Sequence, residues 1–356
     1  MKFSTFPENT NLFQKKGIVK FGIDPSGTSL HLGHLLPLRI VKLLKNDGCD
    51  IHIVLGTFTS TIGDATGRDS TRPMLEKEVV LENTSCILPQ IKRILGDDIT
   101  IHFNNEWFDK MTLVDIMSIL SKFTVQDLLN RDSFQNRIQN GSGISMQELV
   151  YPLLQGIDSV VLKSNFEIGG QDQLLNMIKG RELQTINGIE PQVCIMTPVI
   201  NGLDGRKMSK SFNNTINLND SPEDVFGKCM SISDETMNEW LPIFFDKIEI
   251  KHPMEQKKEL AFQITTEIWN EELAEMAKIH FESVIQSKQI PEDMIELSVG
   301  NLVEIVSKII KGSKSDARRL LKSNAVKVNG EKVTEEFEIK TGDIIKVGKR
   351  NFAKII

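Results

Sequence analysis

Apolar and polar positions along residues 18–56 change period three times. IVKFGID is an apolar run of strand length, PSGTSLHLGH is polar and glycine-bearing, LLPLRIVKLLKN repeats its apolar positions every three to four residues, and DIHIVLG is again strand-like. Two such runs around a helical period predict a βαβ unit with parallel strands. TFTSTIGDATGRDSTRP, dense in Thr, Ser, Gly and Asp, predicts a long loop. Helical period dominates from Glu76 to Lys122, broken by ITIHFNNEW, which predicts a strand and its exit. Met146–Leu162 predicts a helix, with Pro152 predicting a kink or an early end. FEIGGQDQLLNMIKGREL predicts strand, glycine turn and helix. PQVCIMTPVI predicts a strand that runs into the loop NGLDGRKMSKSFNN, and residues 221–290 predict amphipathic helices.

From Leu302 the texture changes. LVEIVSKIIKGSKSDARRLL predicts two short helices separated at Gly312-Ser313. The remainder predicts short strands punctuated by Asn329-Gly330 and Gly342-Asp343. Asn-Gly between alternating apolar residues is a strong hairpin signal. A domain boundary is expected near residue 300, in ELSVGN.

The length of 356 residues suits two or three domains. No apolar run approaches the roughly 18 to 20 residues of a membrane span, and the N-terminal stretch lacks a secretory apolar region. Cys49, Cys86, Cys194 and Cys229 are widely spaced, which suggests neither a disulfide framework nor a zinc site. Free thiols fit a reducing compartment, so the expected location is the cytoplasm, away from membranes. The net charge of −6 is uneven: from Leu302 onward 13 Lys and Arg stand against 7 Asp and Glu, a local balance of +6, so the rest carries −12. A basic module on an acidic body points to a polyanion handled at the C-terminal end; its apolar pattern is too regular for a solvated tail.

Two stretches carry candidate chemistry. A helix N-terminus offers unpaired N–H groups and partial positive charge, which suit phosphate. His31 and His34 share a face of that first turn, with Gly33 between them leaving room for close approach to the backbone. Neither GxGxxG nor GxxxxGK[ST] is present, so imidazole N–H groups would replace glycine amides as phosphate donors. Taken alone, HxxH reads equally as two histidines capping a helix. The second stretch, GLDGRKMSKSFNN, places Arg206, Lys207 and Lys210 on a glycine- and serine-rich loop. Such a loop suits charge that develops late, on a departing pyrophosphate. An exposed basic loop would look the same, but the pair of stretches together is distinctive.

HLGH and KMSKS resemble the two signatures of class I aminoacyl-tRNA synthetases. YPLLQGIDS followed by GGQDQ is similar to the substrate motifs of the tyrosyl enzymes of bacterial type, as are FNNEWF, FTVQDLLNRDSF and GISMQELVYPLLQG. SKSDARRLL, AVKVNG and VGKRNFAKI resemble the alpha-L RNA-binding fold that follows the catalytic domain in that family. The resemblance runs from about residue 18 to the C-terminus. It implies an α/β chain in three parts: a Rossmann-like catalytic domain with an inserted helical dimerisation region over 1–220, a helical domain over 221–300, and an RNA-binding domain over 301–356. It implies tyrosine activation with ATP and Mg²⁺, no tightly bound protein-ligated metal, tRNA(Tyr) as partner, and a homodimer, for which WFDKMTLVDIMSILSKF could supply the interface.

Carried over by position, the resemblance assigns His31 and His34 to the ATP phosphates and the transition state, and Lys207 and Lys210 to pyrophosphate. Met208 and Ser209 of the same loop, with Gly22, Asp24 and Gly33, join the ATP and adenylate site, and Gly170 and Asp172 approach the ribose. Asp64, Tyr151, Gln155, Asp158 and Gln173 form the amino-acid pocket. Arg318, Arg319, Lys322, Lys349 and Arg350 meet RNA phosphates. Lys20 stands where one subset of the family has a Tyr on the substrate hydroxyl; Thr57, Ala65 and Ile157 are further departures from the common pattern.

The residues themselves agree with this assignment. Tyr151, Gln155 and Asp158 are spaced four and three apart, one polar stripe on an otherwise apolar helix. A buried stripe needs partners, and an ammonium, a carboxylate and a phenol would supply them. The chain has 18 Phe and one Tyr, which suggests that the Tyr151 hydroxyl has a task. Competing expectations are a paralogue that adenylates a tyrosine analogue for a non-tRNA acceptor, a tryptophanyl enzyme, and a non-catalytic RNA-binding relative.

Overall fold

A computed structural model describes residues 2–64, 74–247, 250, 252–286, 295–310, 312–323, 325–329, 331–348 and 351–356. It divides into two compact units, Met1–Ile279 and His280–Ile356.

The first unit is built on a six-stranded sheet. Its strands are β1 (Ser4–Phe6), β2 (Ile18–Ile23), β3 (Asp50–Leu55), β4 (Thr100–Phe103), β5 (Phe166–Gly170) and β6 (Val193–Thr197), in the order β1-β6-β5-β2-β3-β4. All neighbours are parallel except β1, which runs antiparallel along β6. The expected parallel βαβ unit is β2, the helix Leu32–Asn46 and β3. That helix buries Leu32, Leu35, Leu36, Leu38, Ile40, Val41 and Leu44, the face its period marked. The chain leaves β2 for β3 on one side and later returns to β2's other side with β5. The carboxyl ends of β2 and β5 therefore flank a topological switch point, where ligand crevices form in open α/β sheets.

Helix Met146–Leu162 runs unbroken through Pro152. A proline removes one N–H and normally breaks or bends a helix; here Leu149, Tyr151, Pro152, Leu153, Leu154 and Ile157 are all buried around it, and packing holds the helix in one piece. Its start is fixed by Ser145, whose side chain accepts from Glu148 N while Glu148 accepts from Ser145 N. Helices Pro222–Ser231, Asp234–Phe244, Pro253–Ile268 and Glu271–His280 occupy the predicted amphipathic stretch.

In the second unit, helices Leu302–Ile309 and Lys314–Lys322 pack with a five-stranded sheet. Its strands are β7 (Ile295–Leu297), β8 (Val326–Val328), β9 (Glu331–Lys332), β10 (Ile344–Val347) and β11 (Asn351–Ile355), in the order β7-β11-β10-β8-β9. Val326, Val328, Ile345, Val347, Ala353 and Ile355 alternate inward. The predicted hairpin is β8–β9, with Asn329 at φ +51°; Gly330 lies outside the described residues. The division falls earlier than the position near 300 read from the sequence, because β7 pairs with β11. No described helix is long and apolar enough to cross a membrane.

Candidate active site

A cleft of about 340 Å³ opens at the switch point, and fourteen of the sixteen residues expected at the catalytic, substrate and ATP sites line it. Gly22 and Asp24 come from the end of β2; His31, Gly33 and His34 from the following helix; and Gly170, Asp172 and Gln173 from the end of β5 and the 3₁₀ turn after it. Helix Met146–Leu162 contributes Tyr151, Gln155 and Asp158, Asp64 follows the short helix Thr59–Ile62 that forms where the sequence predicted only loop, and Lys207 and Met208 come from the lysine loop. Ser209 and Lys210 fall outside the lining. A methyl group placed on Gly27 would lie 3.1 Å from Lys210 Nζ, so the ammonium stands beside the turn that precedes HLGH.

The HLGH histidines cap their helix and do so reciprocally. His31 Nδ1 accepts from Gly33 N at 3.1 Å, and His34 Nδ1 accepts from His31 N at 3.3 Å. Burial, with Lys210 and Lys207 adding to it, lowers His31 to a pKa of about 4; burial and the neighbouring His31 hold His34 well below its usual value. Each neutral ring with Nδ1 accepting must carry its proton on Nε2. Capping thus fixes the tautomer and leaves each histidine one donor, on the ring edge away from the helix end. Gly33 is needed because a Cβ there would lie 2.9 Å from His31 Cε1. The glycine makes room for the capping ring, a role in addition to the expected room for a ligand.

The lysine loop is tethered to that helix mouth. Leu32 N donates to Ile216 O at 3.1 Å and Leu218 N to Leu30 O at 2.8 Å. Buried Asn214 pins the loop from within: its Nδ2 donates to Asp204 Oδ1 at 2.6 Å and its Oδ1 accepts from Ser209 N at 2.8 Å. Lys207 Nζ pairs with Asp172 at 2.8 Å, joining a residue expected on pyrophosphate to one expected on ribose.

The polar stripe of Met146–Leu162 faces the cleft. Tyr151 donates its hydroxyl to Asp24 Oδ2 at 2.8 Å; burial and Asp24 hold its pKa well above the usual value. This bond accounts for a Tyr where the chain otherwise uses Phe. Asp158 is buried and accepts from Trp107 Nε1 at 3.0 Å. Burial raises it to about 7, against opposing pulls from Lys20 and the Trp107 bond. Gln173 Nε2 donates to Asp64 Oδ2 at 2.8 Å.

Lys20 is buried beneath this wall. Its Nζ reaches Gln155 O at 3.0 Å, Ser159 Oγ at 2.6 Å and Glu167 Oε1 at 2.8 Å. An ammonium has three donors, and three protein acceptors already meet them. The buried Lys20–Glu167 pair, Trp107 and the amides around Gln155 are not marked in the sequence, because each bond joins segments distant along the chain; FNNEWF was the one signal near Trp107.

In the second unit, Arg318, Arg319 and Lys322 are exposed on helix Lys314–Lys322, with Arg318 paired to Glu335 at 2.9 Å and Arg319 to Asp316 at 3.2 Å. Lys349 and Arg350, like Ala65, lie outside the described residues. Among the described residues no group of three or more His, Cys, Asp or Glu could hold a metal ion.

A family model described as tRNA synthetases class I (W and Y) matches residues 13–341. The tyrosine–tRNA ligase of Dehalococcoides mccartyi (strain CBDB1) is 40% identical over 360 residues, covering 95% of this chain and 91% of that protein. The ligase of Thermotoga maritima is 39% identical over 359 residues, covering 95% and 90%. Among solved structures, a C-terminally truncated Aspergillus nidulans mitochondrial tyrosyl-tRNA synthetase has a TM-score of 0.63 at 22% identity, over 76% of this chain and 87% of that one. The Archaeoglobus fulgidus tyrosyl-tRNA synthetase complexed with L-tyrosine has a TM-score of 0.56 at 20% identity, over 74% and 90%; these two likenesses speak to the fold. With a family match across most of its length, and relatives near 40% identity that it covers almost completely, the chain belongs to the class I tRNA synthetases of the tryptophan and tyrosine group.

Proposed function

We infer that this chain is a tyrosine–tRNA ligase. It activates L-tyrosine with ATP and transfers the tyrosyl group to tRNA. The carboxylate of tyrosine attacks the α-phosphate of ATP, the bond to pyrophosphate breaks, and tyrosyl-adenylate forms. The terminal ribose hydroxyl of tRNA then attacks the acyl carbon and AMP leaves. The observation that carries this reading is one cleft lined both by a buried carboxylate fit to accept from a phenol and by a helix mouth with two neutral donor imidazoles.

The shared lining of the cleft supports a set of roles. Asp158 accepts the phenol O–H; Lys20, with its donors engaged, is left as a nearby charge. Asp64, Tyr151, Gln155 and Gln173 surround the ammonium end of the amino acid. His31 and His34 offer their Nε2–H groups to phosphate oxygens, where charge grows as the reaction proceeds. Lys207 and Lys210 meet the departing pyrophosphate, and Lys207 must first leave Asp172, which frees Asp172 for the ribose beside Gly170. Gly22, Asp24, Gly33, Met208 and Ser209 complete the ATP and adenylate site. No covalent nucleophile is required: rate comes from positioning and charge stabilisation. Mg²⁺ arrives with ATP, held chiefly by phosphate and water.

The basic second unit contacts tRNA phosphates through Arg318, Arg319, Lys322, Lys349 and Arg350, and the enzyme works in the cytoplasm. It acts as a homodimer: helix Leu113–Leu120 buries none of its residues, and Leu113 and Val114 are each 76% exposed, an apolar face suited to a second copy. Three parts share the work: catalysis over 1–220, a helical part from 221 to the boundary at Ile279, and RNA binding in the second unit. ATP–pyrophosphate exchange tests the first half-reaction. Tyrosine should support it, and exchange driven by tryptophan instead would overturn the substrate assignment.

A further inference from the structure

Behind the cleft wall stands Asn176, fully buried on helix Leu174–Ile186 and absent from the residues marked in the sequence. Its Nδ2 donates to Gln155 Oε1 at 3.0 Å and to Gln173 Oε1 at 2.9 Å. Its Oδ1 accepts from Nη2 of Arg131, itself buried. A guanidinium has donors and no acceptor, so the carbonyl of Asn176 must face Arg131 and its amino group must face the two glutamines.

Those contacts fix the glutamines in turn. Each presents its oxygen to Asn176 and its amino group to a carboxylate: Gln155 Nε2 to Glu167 Oε1 at 2.9 Å, and Gln173 Nε2 to Asp64 Oδ2 at 2.8 Å. The ends of the chain are charged, and every amide between them has one orientation that satisfies both sides. Turning any one over sets oxygen against carboxylate, or amino group against guanidinium or amino group. Arg131 Nη1 also stands 4.0 Å from Asp64 Oδ1.

We propose that Asn176, held by Arg131, is a positioning residue that sets the polarity of the amino-acid pocket. It keeps the carbonyl oxygens of Gln155 and Gln173 and the carboxylate of Asp64 arranged as acceptors for the α-ammonium of the substrate. The proposal rests on the tyrosine–tRNA ligase reading. Its substrate-level consequence is selective: ligands with an ammonium depend on Asn176, and ligands without one do not.

Asn176→Asp tests this in the full-length enzyme. The replacement is the same size and still pairs with Arg131. It has acceptors only, so both glutamines must turn their amino groups toward it and their oxygens toward Asp64 and Glu167. The KM for tyrosine in pyrophosphate exchange should rise about 10- to 100-fold, the range expected when a buried polar contact is mismatched. The KM for ATP and kcat should stay within about twofold. The inhibition constant of 3-(4-hydroxyphenyl)propionate, which is tyrosine without its ammonium, should not move. Arg131→Gln removes the orienting charge without adding a carboxylate, and should produce the same split with a smaller rise. An unchanged tyrosine KM in Asn176→Asp overturns the proposal. So does a parallel loss of the ammonium-free ligand, or a joint fall of kcat, both KM values and melting temperature in the two variants. Failure of the parent enzyme to exchange with tyrosine would instead overturn the functional reading.

Discussion

Asp158→Asn separates the electrostatics of the pocket from its shape. The folded chain holds Asp158 at about 7, against a reference of 3.8. One unit is worth about 1.4 kcal/mol, so above pH 7 the ionised carboxylate destabilises the fold by roughly 4 kcal/mol. The sign follows from proton counts. Between pH 3.8 and 7 the folded chain keeps a proton that the unfolded chain releases, so stability falls as pH rises through this window and levels off above it. An Asn of the same shape escapes this cost and still accepts from Trp107 Nε1. The stability gap between variant and parent should therefore widen by about 1.4 kcal/mol from pH 6 to pH 8. Urea unfolding followed by tryptophan fluorescence reads this directly, because Trp107, Trp240 and Trp269 all lie in the first unit. Function should move the other way. Loss of a charge-assisted bond to the phenol, worth about 1.5–3 kcal/mol, should lower kcat/KM for tyrosine roughly 10- to 150-fold at pH 8 and leave phenylalanine nearly unaffected. A gap that is the same at pH 6 and pH 8 would mean that Asp158 is not held protonated by burial, and undiminished discrimination between tyrosine and phenylalanine would mean that it does not meet the phenol.

Lys210→Ala should slow adenylate formation at least tenfold in single-turnover quenched flow while tyrosine affinity holds; weakened tyrosine binding at normal turnover contradicts its role. His31→Ala should lower kcat of exchange more than it raises the KM for ATP. Because His31 stays neutral down to about pH 4, the parent's rate should show no acid limb near 6.5 that this variant abolishes. Truncation after Ile279, at the observed boundary, should spare exchange, collapse charging at low tRNA concentration, and flatten the salt dependence of tRNA binding; equal losses in both reactions would make the second unit a mere stabiliser. Met117→Glu on the exposed helix Leu113–Leu120 should convert dimer to monomer in sedimentation equilibrium, and a monomeric parent would refute the interface.

The parts legible in the sequence are those written in local period or local chemistry. The 3.6-residue period located helix Leu32–Asn46, and the spacing of Tyr151, Gln155 and Asp158 put them on one face that the structure turns into the cleft. Strands β1 and β7 are three residues each, too short to show alternation, and exist because β6 and β11 offer edges. HLGH gave the position of the histidines; their reciprocal capping, which fixes the tautomers, depends on backbone geometry at the helix mouth. Lys20, Glu167, Asn176 and Arg131 take their places from contacts between distant segments, such as Arg131 with Asn176 and Lys20 with Ser159. A single sequence offers no signal for such pairs.

Charging of tRNA decides whether both half-reactions belong to this chain. Purified enzyme, ATP, Mg²⁺ and tRNA(Tyr) are incubated with labelled tyrosine, tryptophan or phenylalanine, and acid-precipitable aminoacyl-tRNA is counted beside pyrophosphate exchange in the same preparation. Tyrosine alone should be activated efficiently and appear on the tRNA. Exchange with tyrosine but no charging, or charging with tryptophan, would overturn the assignment as a tyrosine–tRNA ligase.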